Sequence, residues 1–183
     1  MTKKNMLAAA CLSLALGIGA TAQAHAQSRS LKEVQVADLR TMKDKFVGLA
    51  EAFPADKYGW TPMDGVRSVK DVLILITTEG NGFPTQWGAP TPAGVDADRG
   101  AERTRLEGLS STALTAELSR AFDNVISVVE GMDNTTRMRE IRFFGQAVRI
   151  EGAINMAAGD MHEHLGQLIA YARTNQIVPP WSR

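Results

Sequence analysis

The chain has 183 residues, with 20 Lys and Arg set against 20 Asp and Glu, so its formal charge is zero. A neutral chain with interspersed signs lacks the basic footprint of a nucleic-acid binder, and no such partner is expected. Its length suits a single domain once a leader is set aside.

Residues 1–26 read as a secretory signal: Lys3 and Lys4 open it, Met6 to Ala20 form the apolar run, and Ala24-His25-Ala26 is a small-x-small cleavage site. That run is too short for a comfortable membrane span, and no later stretch is long and apolar enough to be one. The expected product is exported, periplasmic or extracellular, with one domain over residues 27–183. Cys11, the single cysteine, and His25 leave with the leader, as do Lys3 and Lys4. What remains holds 18 basic and 20 acidic residues, a formal charge of −2. It has no disulfide, thiolate ligand or thiol nucleophile, so its stability rests on a hydrophobic core.

From Leu31 to Phe53, Leu39, Met42, Phe46, Leu49 and Phe53 recur at three- and four-residue steps, which predicts a helix with one buried stripe, closed by Pro54. Ser68 followed by Asp71 is a helix start, and Val69, Val72, Leu73 and Ile76 give the second helix its apolar face as far as Gly80 or Phe83. Pro84 to Gly108 shows no sustained period and is read as a long loop crossing one end of the domain, placed to act as a lid. Ser111 or Thr112 opens a third helix with Leu114, Leu118, Phe122, Val125, Val129 and Met132 on one face. An extended link containing Ile141, Phe143 and Phe144 follows, then a fourth helix from near Val148 to Thr174, with Pro179-Pro180 barring any continuation. The expected fold is all-α, a four-helix bundle with one or two long crossover loops.

The fourth helix carries the chemistry. Ile154, Met161, Leu165 and Leu168 form an apolar stripe; beside it run Ala153, Ala157, Asp160, His164, Gln167 and Tyr171. Positions four apart share a face, so Asp160 and His164 project together while His162 and Glu163 point to solvent. A carboxylate and an imidazole one turn apart form half a divalent-metal site and need a third ligand from another helix; alternatively they are a hydrogen-bonded pair in the bundle. Gln167 and Tyr171 are candidates to touch a ligand or to orient His164. Trp60 and Trp181 are expected to plug the two bundle ends. No serine triad can be assembled, and no glycine-rich phosphate loop is present.

Several segments resemble the DinB-like superfamily: Trp60-Thr61-Pro62, Val66-Arg67-Ser68-Val69-Lys70-Asp71-Val72, Gly80-Asn81, and His162-Glu163-His164-Leu165-Gly166-Gln167 continuing to Arg173. The tail from Ile177 to Arg183 resembles that of an exported subgroup. The resemblance implies a four-helix bundle whose metal site uses one histidine on the second helix and an H-x-x-x-H pair on the fourth. Characterised relatives are metal-dependent enzymes that transfer or rearrange groups with small thiols. His164 matches the second histidine of the pair and Asp160 occupies the place of the first. The second-helix histidine falls on Ile76, which cannot bind metal; one turn further on, Glu79 is the nearest substitute.

Two readings therefore stand. In the first, which Ile76 favours, this is an exported bundle protein with a degenerate metal site that binds a small molecule or has no established activity. In the second, it is a metal-dependent enzyme, a thiol-cosubstrate transferase or a hydrolase, in which Asp160, His164 and Glu79 hold zinc, nickel or iron. A small molecule is the expected partner, and a homodimer the default assembly.

Overall fold

A computed structural model describes residues 28–182; the leader, with Cys11 and His25, lies outside the described residues. Helix α1 spans Leu31–Ala52, α2 Val69–Gln86, α3 Arg99–Glu107, α4 Ser111–Gly131, the single turn α5 Asn134–Arg137 and α6 Ile150–Thr174, with strands β1 (Glu140–Phe143) and β2 (Gln146–Arg149) before α6. Among the described residues, no helix is long and apolar enough to cross a membrane.

The helix starts follow local chemistry. Ser30 with Glu33 and Ser68 with Asp71 form reciprocal capping boxes, each satisfying amides that the first turn leaves free. Leu39, Met42, Phe46 and Leu49 of α1 are buried, and Phe46 meets Phe122 of α4 with ring centroids 5.6 Å apart. Each such side chain contributes about 1.5–3 kcal/mol on burial.

The four long helices do not pack in chain order. α1 lies against α4 and α6, and α2 lies against the same two, so α1 and α2 sit on one diagonal of the bundle and α4 and α6 on the other. The α1–α2 and α4–α6 connections are the long crossings. α2 and α6 run antiparallel: Tyr171 near the end of α6 donates to the Arg67 carbonyl just before α2, while Phe143, shortly before α6, packs on Phe83 and Trp87 at the far end of α2.

Helix α2 continues past its expected end, through Pro84. A proline there removes the amide that would bond the Gly80 carbonyl. Asn124 of α4 compensates, its side-chain amide donating to that carbonyl at 3.3 Å. Gly80 also permits the close approach: a Cβ at this position would lie 3.0 Å from the Ala121 carbonyl oxygen.

Several expectations are corrected. The stretch read as loop contains α3, which escapes periodicity because Leu106 is its one buried apolar residue; its other buried side chain is Glu102. That carboxylate is 1 % exposed, held by Arg105 at 2.8 Å and by the Asp96 amide at 3.1 Å. The link before α6 is an antiparallel hairpin, Glu140 opposite Arg149, turning on Phe144 and Gly145 at φ of 46° and 76°. Both turn residues adopt the left-handed backbone typical of a tight two-residue hairpin. Trp181 is not a core plug: it is 40 % exposed and lies beneath Lys45. Trp60 is half-buried, edge-on to Tyr171.

Gly80→Val should lower stability by about 1–3 kcal/mol, because the added methyls force α2 away from α4. Gly166, exposed on α6 with open space where a Cβ would stand, is the control. Gly166→Ala should raise stability by about 0.5–1 kcal/mol. Urea denaturation midpoints read both.

Candidate metal centre

Glu79 on α2 and Asp160 and His164 on α6 converge where the two helices face each other. Each offers one ligand-type atom, and these atoms all lie within 4.8 Å of one another. The helical spacing of Asp160 and His164 places that pair, as the sequence indicates; the antiparallel packing of α2 brings up the third. Ile76 is fully buried in the core and supplies no donor.

Burial makes the cluster electrostatically costly. Glu79 is 7 % exposed, and its Oε2 and the Oδ2 of Asp160 are buried without a hydrogen-bond partner among the described residues. Burial pushes the Glu79 carboxyl up to about 8, the negative charge of Asp160 adds to the rise, and Arg99 and Arg67 oppose it without prevailing. Two acidic groups in one water-poor place need a shared proton or a cation between them.

The imidazole is oriented through a relay whose direction is fixed at its far end. The Arg67 carbonyl can only accept, so Tyr171 donates its hydroxyl proton to it at 3.0 Å. The tyrosine oxygen then accepts from Gln167 Nε2 at 2.7 Å, leaving Gln167 Oε1 to accept from His164 Nδ1 at 3.0 Å. A neutral His164 therefore carries its proton on Nδ1 and keeps the Nε2 lone pair free. An outer partner on one ring nitrogen is the usual companion of a ligating histidine. Gln167 thus bonds to His164 directly and Tyr171 is joined to it through Gln167. Tyr171 is buried, and Gln167 borders a groove with Arg67, Asp71 and Arg103.

His162 stands apart from the cluster. Its Nε2 meets the Asp38 carboxylate of α1 at 2.9 Å on the surface, a contact the sequence did not reveal, and Glu163 is exposed.

The residues fit a divalent cation. One imidazole nitrogen and two carboxylates suit zinc, iron or nickel, and the two orphaned oxygens are the acceptors a cation would satisfy.

Beside Glu79 opens a cavity of about 310 Å³, also lined by Thr78, Asn81, Thr85, Gln86 and Arg99. Sequence reading missed Asn81 and Arg99 as site residues. Arg99 lies in the stretch taken for loop, where Asp98 as an N-cap and the Arg103–Glu107 pair one turn apart were the available signals of α3.

Fold and site together define a helical bundle with a carboxylate–histidine cluster between two facing helices. A profile of the DinB superfamily matches residues 38–168, and the chain belongs to that superfamily. Three solved structures share the fold. The DinB-like protein YjoA of Bacillus subtilis is 18 % identical with a TM-score of 0.61, over 79 % of this chain and 93 % of that one. YfiT of Bacillus subtilis, described as a probable metal-dependent hydrolase with an unusual four-helix bundle topology, is 17 % identical with a TM-score of 0.63, over 83 % and 93 %. A mycothiol-dependent maleylpyruvate isomerase is 14 % identical with a TM-score of 0.59, over 77 % of this chain but only 63 % of that one. No curated protein matches the sequence.

Because the folded-state pKa of Glu79 lies above its unfolded value of 4.5, the metal-free fold binds this proton more tightly than the unfolded chain does. The associated stability is fully present below about pH 4.5 and is lost as pH rises through about 8. Denaturation in chelator at pH 5 and pH 9 should show a fall on the order of 3 kcal/mol that Glu79→Gln largely removes. An equal fall in the variant would contradict the assignment.

Proposed function

We propose that this DinB-superfamily member is an exported metal-dependent enzyme acting on a small molecule by hydrolysis or group transfer, with Glu79, Asp160 and His164 holding a divalent transition metal. The observation that carries this reading is the convergence of three ligand-type side chains from two helices around two buried carboxylate oxygens that lack partners. Glu79 supplies, one turn along α2, the donor that Ile76 cannot. The reading of the site as degenerate rests on Ile76 alone, so the geometry favours the enzyme.

A bound metal would supply Lewis acidity for polarising a substrate oxygen. The protein does the rest. Gln167 and Tyr171 hold the imidazole in one tautomer and one ring orientation. One oxygen of each carboxylate is enclosed, which strengthens their hold on a cation. Glu79 must lose its proton to ligate, so metal affinity rises with pH until that proton is gone. With Cys11 in the proposed leader, any thiol in the reaction comes from a cosubstrate. The metal-dependence and thiol-dependence stated for YfiT and the isomerase lend support to this class of chemistry. Export rests on the pattern of residues 1–26, and intact mass of the secreted protein should place its first residue near Gln27.

Elemental mass spectrometry on protein purified without a metal-binding tag tests the centre. The wild type should hold stoichiometric metal. Asp160→Ala and His164→Ala should lose affinity by more than the roughly 10–100-fold that loss of an outer partner costs. Tyr171→Phe should fall within that range, and His162→Ala should leave metal content unchanged. An empty wild type that refuses added zinc, iron and nickel would sink the proposal.

A further inference from the structure

Two side chains on the wall of the cavity beside Glu79, the buried Asn81 and the exposed Arg99, have no protein partner among the described residues. Asn81 is 5 % exposed, lines the cavity, and its side-chain amide makes no hydrogen bond among the described residues. Its polar atoms are not among the fully buried orphans, so they are reached from the cavity, where water or a ligand can meet them. Arg99, on the same wall, forms no ion pair among the described residues.

That freedom is not for want of acids. Elsewhere on α3, Arg103 pairs with Asp71 and Glu107, and Arg105 with Glu102 and Glu117. The carboxylates nearest Arg99 in sequence are committed to backbone: Asp96 accepts from the Asp98 amide at 2.9 Å and Asp98 from the Ala101 amide at 2.8 Å. Glu102, also on the cavity wall, is saturated by Arg105 and the Asp96 amide. A second arginine without an ion pair, Arg67, borders the groove beside Gln167. Among the described residues, Arg99 is therefore the one cationic side chain lining the cavity, facing it together with Asp96, which keeps its negative charge, and with Glu102, which Arg105 neutralises.

We propose that this cavity is the substrate subsite and takes a small anionic molecule, with a carboxylate or phosphate group on Arg99, a hydrogen-bonding body on Asn81, and its reacting end at Glu79, Asp160 and His164. The assignment rests on reading those three residues as the metal centre. A volume of about 310 Å³ limits the ligand to a compact metabolite-sized molecule. A guanidinium recognises either anion with paired donors, so Arg99 is a specificity residue for charge and leaves the carboxylate–phosphate choice to the cavity shape.

Ligand-observed NMR titration with inorganic phosphate and, separately, with succinate tests this on metal-loaded and metal-free protein. Wild type, Arg99→Gln, Arg99→Lys and Arg40→Gln are compared, Arg40 being an exposed α1 residue paired with Glu130. Arg99→Gln should weaken binding of the preferred anion about tenfold or more. Arg99→Lys should recover part of it and Arg40→Gln should match wild type. The anion that binds more tightly names the substrate class. Equal binding by wild type and Arg99→Gln, or no binding of either anion by wild type, overturns the subsite. Metal content measured on the same samples separates the two ideas. Stoichiometric metal with Arg99-independent anion binding overturns the subsite alone, whereas Arg99-dependent binding to a protein that takes no metal supports the subsite and overturns the metal centre.

Discussion

Two carboxyl groups, Glu79 buried and Asp160 half-buried with one oxygen wholly enclosed, share a seam between α2 and α6, and neither can be neutralised by the apolar residues around them. Glu79 and Asp160 bring negative charge into a region where solvation is lost and Coulomb repulsion is poorly screened. A proton held by Glu79 is one remedy, and the rise of its pKa to about 8 records it. A divalent cation is the other, and in the proposed centre His164 would join the two carboxylates in holding it.

The bundle is arranged so that this seam can exist. Diagonal placement of α1 and α2 puts α2 beside α6, and the antiparallel course sets Glu79 opposite the middle of α6. α2 must be long enough to carry both the site and the aromatic packing of Phe83 and Trp87 against the hairpin. Its passage through Pro84 is stabilised from outside the helix, by the Asn124 amide on the Gly80 carbonyl and by the closeness that Gly80 allows. Beyond the site, α3 packs on α2 and walls the cavity, its buried Glu102 pinned by Arg105 so that Arg99 alone on that helix remains uncommitted.

Much of this was legible in advance where a residue's fate depends on its neighbours along the chain. The stripe of Leu39, Met42, Phe46 and Leu49, the caps at Ser30 and Ser68, and the pairing of Asp160 with His164 follow from a period of 3.6 and the free amides of a first turn. α3 and the hairpin were not legible. Leu106 is too little to make a period, and strands four residues long leave the alternation of β1 and β2 too brief to stand out. The place of Glu79 was visible only as a substitute one turn from Ile76.

By itself, the amino-acid order determined four amphipathic helices, their superfamily, and which side chains of α6 share a face, because helical geometry is local. Only the tertiary structure decided that Glu79 meets that face, that Asn124 sustains α2 beyond Gly80, and that Arg99 and Asn81 enclose the same cavity. The reason is that the rotation and axial offset of one helix against another are set by side chains interlocking across the interface, including Gly80 against Ala121 and Phe143 against Phe83. Those contacts join residues far apart in the chain, and no period within either segment encodes them.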